Sequence, residues 1–521
     1  MLACCLTVAF CLAAQAASAS ERPVLTVRSA EALQDLFDAH MSGKVRIAPG
    51  SRIVLQPGAW HQFAQGGPDR GRPYVSVYVE DLRGEPGRPI VIEGDGYRPG
   101  ERDSYLDVGN CGLLLGMGCE DVCVRGLRTG RDAVFRSANY PGGRLAAGRE
   151  IFTWGSLIAV YGKRITVSDV LLDEGAVSQS GQWQPLIGVD RSAEDYRIER
   201  VEGVRYRSIP ISVRVSDAPA PPSFPRSAPV RGLIRNVWLR DGFAGEDVGN
   251  TGIDVQVGQG ESDLGLSCEL LVEDCGVVDS NGYGYESKVT GVTFRRVYAI
   301  GSGHCSVECR AGRDNVFDRC ASVACYAGLE TFGQATQYRD CFVGASFGPP
   351  IRLYEAAPAY GPALDCTFTR VVCVKTDFDM LKSGYRAPVI EWNSGWQQRT
   401  GPETGGHRFV DCDFGSLGQG AILLPKVSLG LFPNGSTFAG CRAWKPTGKD
   451  WGPVPLPGVK WEDPKYEWAG AAKGQPPPLS LRADAAHPGV ELPAEGWKPD
   501  WWSSPVARVI LPRAVLERLA R

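Results

Sequence analysis

The sequence predicts an all-β fold: a right-handed parallel β-helix with an N-terminal capping helix and an irregular C-terminal segment. The first observation is a four-residue unit that recurs along the chain, an apolar residue, two polar residues, then a cysteine or an aliphatic residue. Central copies begin at Val272, Phe294, Phe317 and Tyr338, steps of 22, 23 and 21 residues. A repeat of this length cannot bury its apolar face alone, so neighbouring repeats must stack to form the core. Leucine-rich repeats share the period, but their leucine and asparagine pattern is absent.

The second observation is a set of short segments that alternate apolar or small residues with polar ones, as half-buried strands do. They lie at residues 253–257, 285–289, 307–311, 329–332 and 351–354. Stacked in register, they predict an exterior column of Asp254, Glu286, Glu308, Glu330 and Arg352. A second column holds Gln256, Lys288, Arg310, Phe332 and Tyr354. Because stacked like charges destabilise a sheet, we interpret these columns as a binding cleft. The alternative is an ordinary solvated sheet face.

The remaining elements follow in chain order. Residues 1–19 are typical of a signal peptide, an apolar stretch ending in a small-residue cleavage site, so we expect a secreted or periplasmic protein. Residues 29–40 predict a short helix with Ser29 as its N-cap. Strand-like pieces follow at 45–47, 53–55, 74–79 and 90–92. We assign residues 20–445 to the β-helix. The Pro- and Trp-rich residues 446–521 would wrap its end, and a sugar-binding module is the alternative.

Cysteine usage predicts buried thiols. Five repeat cysteines would share one interior column as small hydrophobes: Cys275, Cys320, Cys341, Cys412 and Cys441. Side chains in such a column point in parallel, so most pairs would need distortion to form a disulfide. Cys305 and Cys309 remain candidates for a disulfide or a loop. No cysteine spacing matches a zinc site.

The composition excludes some classes of partner. The formal net charge is −3, which gives no electrostatic footprint for nucleic acid. No internal apolar run reaches the length of a membrane span. We expect a monomer that acts on an acidic polysaccharide.

Carboxylates beside Lys and Arg on a long groove suit β-elimination on a uronate polymer. Such a site must neutralise the substrate carboxylate, remove the C5 proton and protonate the leaving O4. Lys288 could be the base if the neighbouring Arg310 lowers its pKa, and Arg310 could stabilise the developing charge. Tyr354 is the candidate proton donor. Three carboxylates could hold Ca²⁺: Asp254, Glu286 and Glu308. The candidate substrate-binding residues are Gln256, Glu330 and Arg352.

Several motifs carry a family resemblance. The sequence of residues 84–92, Gly-Glu-Pro-Gly-Arg-Pro-Ile-Val-Ile, resembles the opening of secreted β-helix polysaccharide lyases, the chondroitinase B and alginate lyase family being closest. The resemblance implies a catalytic Lys after acidic calcium ligands and a catalytic Arg about one coil later. Lys288 and Arg310 have this offset, and residues 315–317 resemble the family's continuation. Three departures stand out: Ser287 precedes the Lys instead of following it, Ala311 replaces a His, and the acidic ligands upstream are reduced to Glu286.

Two other functions fit the same pattern. A glycoside hydrolase on this fold would use two carboxylates of the exterior column, Glu308 with Glu330 or Asp254 with Glu286. A non-catalytic β-helix would use the columns only to bind glycan. Fold alone does not decide between them, because function resides in the site.

Overall fold

The computed structural model describes residues 23–61, 76–135, 138–140, 151–153, 155–172, 177–178, 185–190, 192–215, 231–242, 251–257, 267–278, 280, 282–323, 325–346, 348–354, 362–375, 388–393, 404–416, 423–425, 435–444, 458–461, 466–468 and 479–481. The signal peptide expected at residues 1–19 and most of the C-terminal segment lie outside these ranges. The fold is the predicted right-handed parallel β-helix. In the described part of the chain, no helix is long and apolar enough to span a membrane.

The helix closes the N-terminal end of the structure. Helix α1 spans Ala30–Met41, and the Ser29 hydroxyl accepts the backbone N–H of Ala32 at 3.1 Å, as predicted for its N-cap. It packs against the strand Val77–Val79 and buries an apolar stripe that includes Phe37. Residues 45–47 are not the expected strand, because the backbone N–H of Ile47 bonds to the His40 side chain instead of a neighbouring strand.

One face of the β-helix is a parallel sheet that we call the front sheet. Its twelve described strands are Val77–Val79, Leu113–Leu115, Ile158–Val160, Pro185–Val189, Ile209–Val215, Thr251–Val257, Tyr283–Ser287, Cys305–Cys309, Ala327–Thr331, Ile351–Tyr354, Ile390–Asn393 and Leu423–Pro425. Successive strands pair in register, with Tyr285 opposite Val307 and Val307 opposite Leu329. These interior side chains lie in the buried core.

A second parallel sheet, which we call the back sheet, forms the rest of the coil. Its strands are Val24–Ser29, Arg52–Ala59, Ile90–Gly94, Leu106–Asp107, Glu120–Arg128, Lys163–Leu172, Arg197–Val204, Leu233–Arg240, Ser267–Val278, Thr290–Ile300, Val316–Asp318, Ala321–Val323, Gln337–Arg339, Phe342–Ser346, Thr367–Thr369, Val372–Lys375, Arg408–Val410, Asp413–Ser416, Thr437–Ala439, Cys441–Trp444 and Val459–Trp461. The last of these continues the stack beyond residue 445.

Smaller elements decorate the coil. Val134–Phe135 pairs with Val177–Ser178 in parallel. Two antiparallel pairs are Ala138–Tyr140 with Ile151–Thr153 and Tyr466–Trp468 with Leu479–Leu481. A 3₁₀ turn covers Arg102–Ser104.

The four-residue repeat forms a corner of the back sheet. Its third residue has a left-handed backbone in every copy, with φ between 51° and 69°. These residues, which we call the corner ladder, are Gly126, Asp169, Arg200, Asn236, Asp274, Arg296, Arg319, Asp340, Arg370, Asp411 and Gly440. Left-handed backbone favours Gly, Asn and Asp, which explains part of this composition. Three of the four arginines bond an aspartate on the preceding coil, and Arg296 makes two bonds to Asp274 at 2.6 and 2.8 Å, whereas Arg319 bonds its neighbour Asp318.

The first and fourth repeat residues form the interior. Six aromatic rings at the first position stack face to face at centroid spacings of 4.6–4.9 Å: Phe294, Phe317, Tyr338, Phe368, Phe409 and Phe438. This spacing equals the separation of neighbouring strands, so each ring rests on the next coil. At the fourth position Cys275, Cys320 and Cys341 are buried in one stack, which confirms the predicted thiol column.

All fourteen described cysteines are free thiols, and all but Cys123 are buried. Cys305 and Cys309 begin and end one front-sheet strand, where their side chains are fully buried. The expectation of a disulfide or a loop there is therefore wrong.

Candidate active site

Acidic side chains form one column on the outward face of the front sheet. Register places Asp254 opposite Glu286, Glu286 opposite Glu308, and Glu308 opposite Glu330, as predicted. We call these four residues the acid column. Arg352 and then Glu391 continue it. All are buried under their neighbours, so this is not an ordinary solvated sheet face.

Two cations converge on one carboxylate of the column. Lys288 Nζ lies 3.1 Å from Glu286 Oε2, and Arg310 Nη1 lies 2.9 Å from Glu286 Oε1. Burial alone would raise the pKa of Glu286, but the charges of Lys288 and Arg310 lower it to about 2. Glu286 is therefore a carboxylate at any working pH. It holds the two cations on adjacent strands.

This arrangement changes the expectation for Lys288. The sequence predicted that Arg310 would be its nearest charge, but the Glu286 carboxylate lies between the two cations. Their side chains are 13% and 17% exposed, whereas that of Glu286 is 2% exposed. The cations thus form the accessible surface above a buried acid. Gln256 precedes Lys288 by one strand in the same column, with its amide 3.5 Å from the Ser212 hydroxyl.

A second cluster surrounds Glu330. Arg352 Nη1 lies 3.0 Å from Glu330 Oε1, and Arg352 Nε lies 2.7 Å from Glu391 Oε2. The Tyr354 hydroxyl donates to Glu330 and accepts from Arg352 at 3.0 Å, and its ring stacks on Phe332. Burial and the charge of Glu330 raise the pKa of Tyr354, so its phenol stays neutral. Arg352 is thus buried among protein partners.

The structure does not bring Tyr354 together with Lys288. Tyr354 lies two strands beyond Arg310 in the second column, about 10 Å away at ordinary strand spacing. Its hydroxyl is already bonded to Glu330. Tyr354 as proton donor remains a prediction, and the geometry gives it no contact with the Lys288 pair.

Three members of the acid column lack full hydrogen bonding. Among the described residues, Asp254 Oδ1, Glu308 Oε2 and Glu330 Oε2 are buried without a hydrogen-bond partner. Burial raises the pKa of Asp254 to about 7 and raises that of Glu308 well above its ordinary value. Arg310 Nε is 3.9 Å from Glu308, too far for a hydrogen bond. Asp254 and Glu308 are therefore the acid-column residues whose negative charge is not balanced by a hydrogen-bonded cation.

A row of rings that sequence reasoning missed borders the acid column on its other side. We call Tyr283, His304 and Tyr326 the ring row. The Tyr283 and His304 centroids are 4.5 Å apart, and those of His304 and Tyr326 are 6.4 Å apart. Arg310 Cζ lies 5.8 Å from the Tyr283 ring, within cation–π range.

The ring row has a sequence signal. Tyr283 precedes its column glutamate Glu286 by three residues, and His304 and Tyr326 precede Glu308 and Glu330 by four. Extending the column comparison backwards by four residues would have found all three. His304 Nδ1 faces Glu330 Oε2 at 3.9 Å, and burial lowers the pKa of His304. The imidazole is therefore neutral near pH 7.

The predicted calcium ligands form an incomplete metal site. The free oxygens of Asp254 and Glu308 suit Ca²⁺ chemically. The central ligand Glu286, however, is bound by Lys288 and Arg310. Within the described ranges, no group of three or more His, Cys, Asp or Glu side chains is arranged to hold a metal ion. The three residues do not fit a calcium centre as they stand, and we derive no catalytic step through the ion.

Comparison with known proteins identifies the fold class. No family model and no curated protein matches the sequence. Among solved structures, the chain is similar to a mannuronic acid specific polysaccharide family 6 lyase from human gut microbiota. The TM-score is 0.55 at 16% identity, over 85% of this chain and 91% of that one.

Two alginate lyases share the fold. The PL6 family alginate lyase AlyGC aligns with a TM-score of 0.55 at 14% identity, over 88% of this chain and 55% of AlyGC, so this chain spans about half of that protein. The alginate lyase AlyF-OU02 aligns with a TM-score of 0.52 at 11% identity, over 89% of this chain and 92% of that one. The predicted resemblance to β-helix polysaccharide lyases is thus confirmed for the fold. Identities this low leave the activity to be argued from the site.

Proposed function

We propose that this protein is a polysaccharide lyase that cleaves a uronate-containing polymer by β-elimination. The observation that carries the proposal is the Lys288–Glu286–Arg310 cluster, in which two accessible cations lie on adjacent front-sheet strands. The structural neighbours support it, since their names describe lyases for alginate or mannuronic acid.

Each residue of the cluster has a role in the proposed reaction. Lys288 acts as the base that removes the C5 proton, once it has lost its own proton. Arg310 stays charged and stabilises the negative charge that develops on the substrate carboxylate. Glu286 is a positioning residue, because it bonds both cations at 2.9–3.1 Å and fixes their separation. Activity should therefore rise with pH through the range in which Lys288 deprotonates.

Because the acid column is rich in carboxylates, the site must above all neutralise the negative charge of the substrate carboxylate. In the described part of this face, five carboxylates outnumber four cations. The carboxylates are Asp254, Glu286, Glu308, Glu330 and Glu391, and the cations are Arg214, Lys288, Arg310 and Arg352. A uronate approaching this face meets like charge unless some acids are protonated or a cation is bound. Ca²⁺ at Asp254, Glu286 and Glu308 stays a prediction from the sequence. Activity lost in a chelator and restored by calcium would support it, and unchanged activity would remove metal from the mechanism.

The direct experiment is an ultraviolet assay for the new C4–C5 double bond. Wild type and Lys288→Ala should be compared on alginate, pectate, chondroitin sulfate and heparan sulfate. We expect product absorbance with at least one polymer and its loss in the variant. Absorbance that survives intact in Lys288→Ala would refute the assignment. Reducing ends without absorbance would favour the hydrolase alternative, and binding without either would favour a glycan-binding β-helix.

We also propose that the chain is exported, to the periplasm or the medium, and acts as a monomer. The apolar N-terminus and the small residues Ala17, Ser18 and Ala19 support export. N-terminal sequencing of protein from the native host should find a start near Ser20. Sedimentation at assay concentration tests the monomer.

A further inference from the structure

The ring row lies across the acid column from Lys288. Tyr283 begins the front strand Tyr283–Ser287, and Lys288 follows directly after it. Five residues of extended chain separate them by about 16 Å, with Glu286 in between. Their side chains thus flank the acid column from opposite sides, within one coil.

Arg310 connects the two sides. Its guanidinium bonds Glu286 at 2.9 Å, and its Cζ lies 5.8 Å from the Tyr283 ring. Burial and the charge of Glu308 raise the pKa of Tyr283, so its hydroxyl holds the proton that a general acid must donate, while the charge of Arg310 favours the phenolate that remains after transfer. Tyr354 has a cation of its own, since Arg352 bonds its hydroxyl at 3.0 Å, but that hydroxyl also bonds Glu330 and lies two strands beyond Arg310. Tyr283 is therefore the tyrosine placed to act with the Lys288 pair.

We propose that Tyr283 donates the proton to the leaving oxygen, and that the protein consequently acts on uronates whose C5 hydrogen and C4 oxygen lie on opposite faces of the ring. The inference rests on the proposed lyase function. A sugar ring between Lys288 and Tyr283 presents one face to each. The base takes hydrogen from one face and the acid protonates oxygen on the other, which is an anti elimination.

The reaction balances with these groups alone. The Lys288 amine takes the C5 proton, and the C–H electron pair becomes the C4–C5 double bond. The C4–O4 bond breaks, and O4 takes the proton of the Tyr283 hydroxyl. A lysine ammonium and a tyrosinate remain, and exchange with water restores both.

This stereochemistry selects a class of substrate. Guluronate, iduronate and galacturonate carry the C5 hydrogen and the C4 oxygen on opposite faces, whereas mannuronate and glucuronate carry them on the same face. A proton donor on the Lys288 side, such as Tyr354, would instead suit the second class. Polyguluronate and polymannuronate differ only at C5, so they form the matched pair of test polymers.

The first test measures double-bond formation by the full chain on these two polymers, with polygalacturonate and dermatan sulfate as further members of the anti class. We expect turnover of at least one anti-class polymer to be about 100-fold faster than that of polymannuronate, since the syn epimer would lose acid catalysis. A preference for polymannuronate, or equal rates, would overturn the inference and leave the lyase proposal intact. No absorbance with any polymer would refute the lyase proposal itself.

The second test assigns the proton to Tyr283. Tyr283→Phe should lower kcat on the preferred polymer by about 100-fold. Tyr105→Phe, which alters a half-buried tyrosine near the N-terminal end, should leave kcat unchanged. A substrate whose C4 leaving group needs no protonation should restore the rate of Tyr283→Phe but not that of Lys288→Ala. Failure of that rescue in a folded Tyr283→Phe protein would mean that the residue is only structural.

Discussion

Two rows of charged residues run along this β-helix, and they follow opposite rules. In the corner ladder, three of the four arginines pair with an aspartate one coil earlier, and these pairs are partly exposed, as in Arg200–Asp169 and Arg370–Asp340. In the acid column, carboxylates stack on carboxylates and are buried, and one oxygen each of Asp254, Glu308 and Glu330 has no hydrogen bond. Stacked like charges cost stability, whereas exposed pairs of opposite charge cost little.

The difference separates structural from functional charge. The corner ladder is explained by the fold, because each position needs a residue that tolerates left-handed backbone, and three of its arginines bond an aspartate of the preceding coil. The acid column has no such explanation, since apolar residues would pack the same positions at lower cost. Charge placed where it destabilises the fold is the mark of a site. The following substitutions change one row while leaving the other intact.

The largest expected effect comes from replacing one cation by Met at each row: Lys288, which bonds Glu286 of the acid column, and Arg296 of the corner ladder. Lys288→Met should lower lyase activity by about 1000-fold, because it removes the base but keeps a long side chain over Glu286. Arg296→Met in the corner ladder should leave activity unchanged and cost about 1 kcal/mol, as it breaks the pair with Asp274. Kinetics and urea denaturation of both variants measure the contrast. Equal activity loss in both would mean that the corner also serves the site.

The sequence was sufficient to predict the coil. The repeat specifies which residues face inwards, and the offset of 22 residues between Lys288 and Arg310 places them on adjacent strands, as the register confirms. The left-handed third position was not predicted, although its composition of Gly, Asn, Asp and Arg contains the signal.

The side-chain contacts within the site could not be predicted from the sequence. Whether Arg310 points to Lys288 or to Glu286 depends on side-chain conformations that column register does not specify. The ring row lies at the entry to its strands, at the first residue for Tyr283 and just before the strand for His304 and Tyr326, where alternation no longer indicates which way a side chain points. Its approach to Arg310 depends on the path of the chain entering each front strand. Register therefore predicts neighbours, but not which of them bond.

The next effect tests whether the arginine geometry matters more in the site than in the corner. Arg310→Lys keeps the charge but loses the planar fork that bonds Glu286 and faces Tyr283, so activity should fall by about 100-fold. Arg370→Lys loses a two-bond contact with Asp340 and should cost below about 1 kcal/mol, with activity unchanged. Full activity in Arg310→Lys would show that charge alone suffices at that position.

The acid column should also give the stability of the protein a pH dependence. Burial raises the pKa of Asp254 from an ordinary 3.8 to about 7. Between those values the folded state binds the extra proton, so stability falls as pH rises through this window, by at most about 1.4 kcal/mol per pH unit. Asp254→Asn removes this loss of stability at high pH, because asparagine does not titrate. With a chelator present, the free energy of unfolding of Asp254→Asn should exceed that of wild type by more at about pH 8 than at about pH 5. Denaturation curves showing the same gain at both values would contradict the assignment.

The smallest expected effect measures the free-energy cost of left-handed backbone in the corner ladder. Arg319 has a φ of 54°, and the equivalent residues in two other coils are Gly126 and Gly440. Replacing Arg319 by Ala or by Gly removes the same ion pair with Asp318, so the difference between the two variants reports the backbone alone. Ala normally stabilises extended and helical chain relative to Gly, but left-handed backbone reverses the order because it crowds the Cβ atom. Arg319→Gly should therefore be more stable than Arg319→Ala by about 1 kcal/mol, measured by urea denaturation. Because the corner lies on the back sheet, both variants should keep wild-type lyase activity. An Ala variant as stable as the Gly variant would mean that the corner can relax, and that Arg and Asp are retained there for their charge alone.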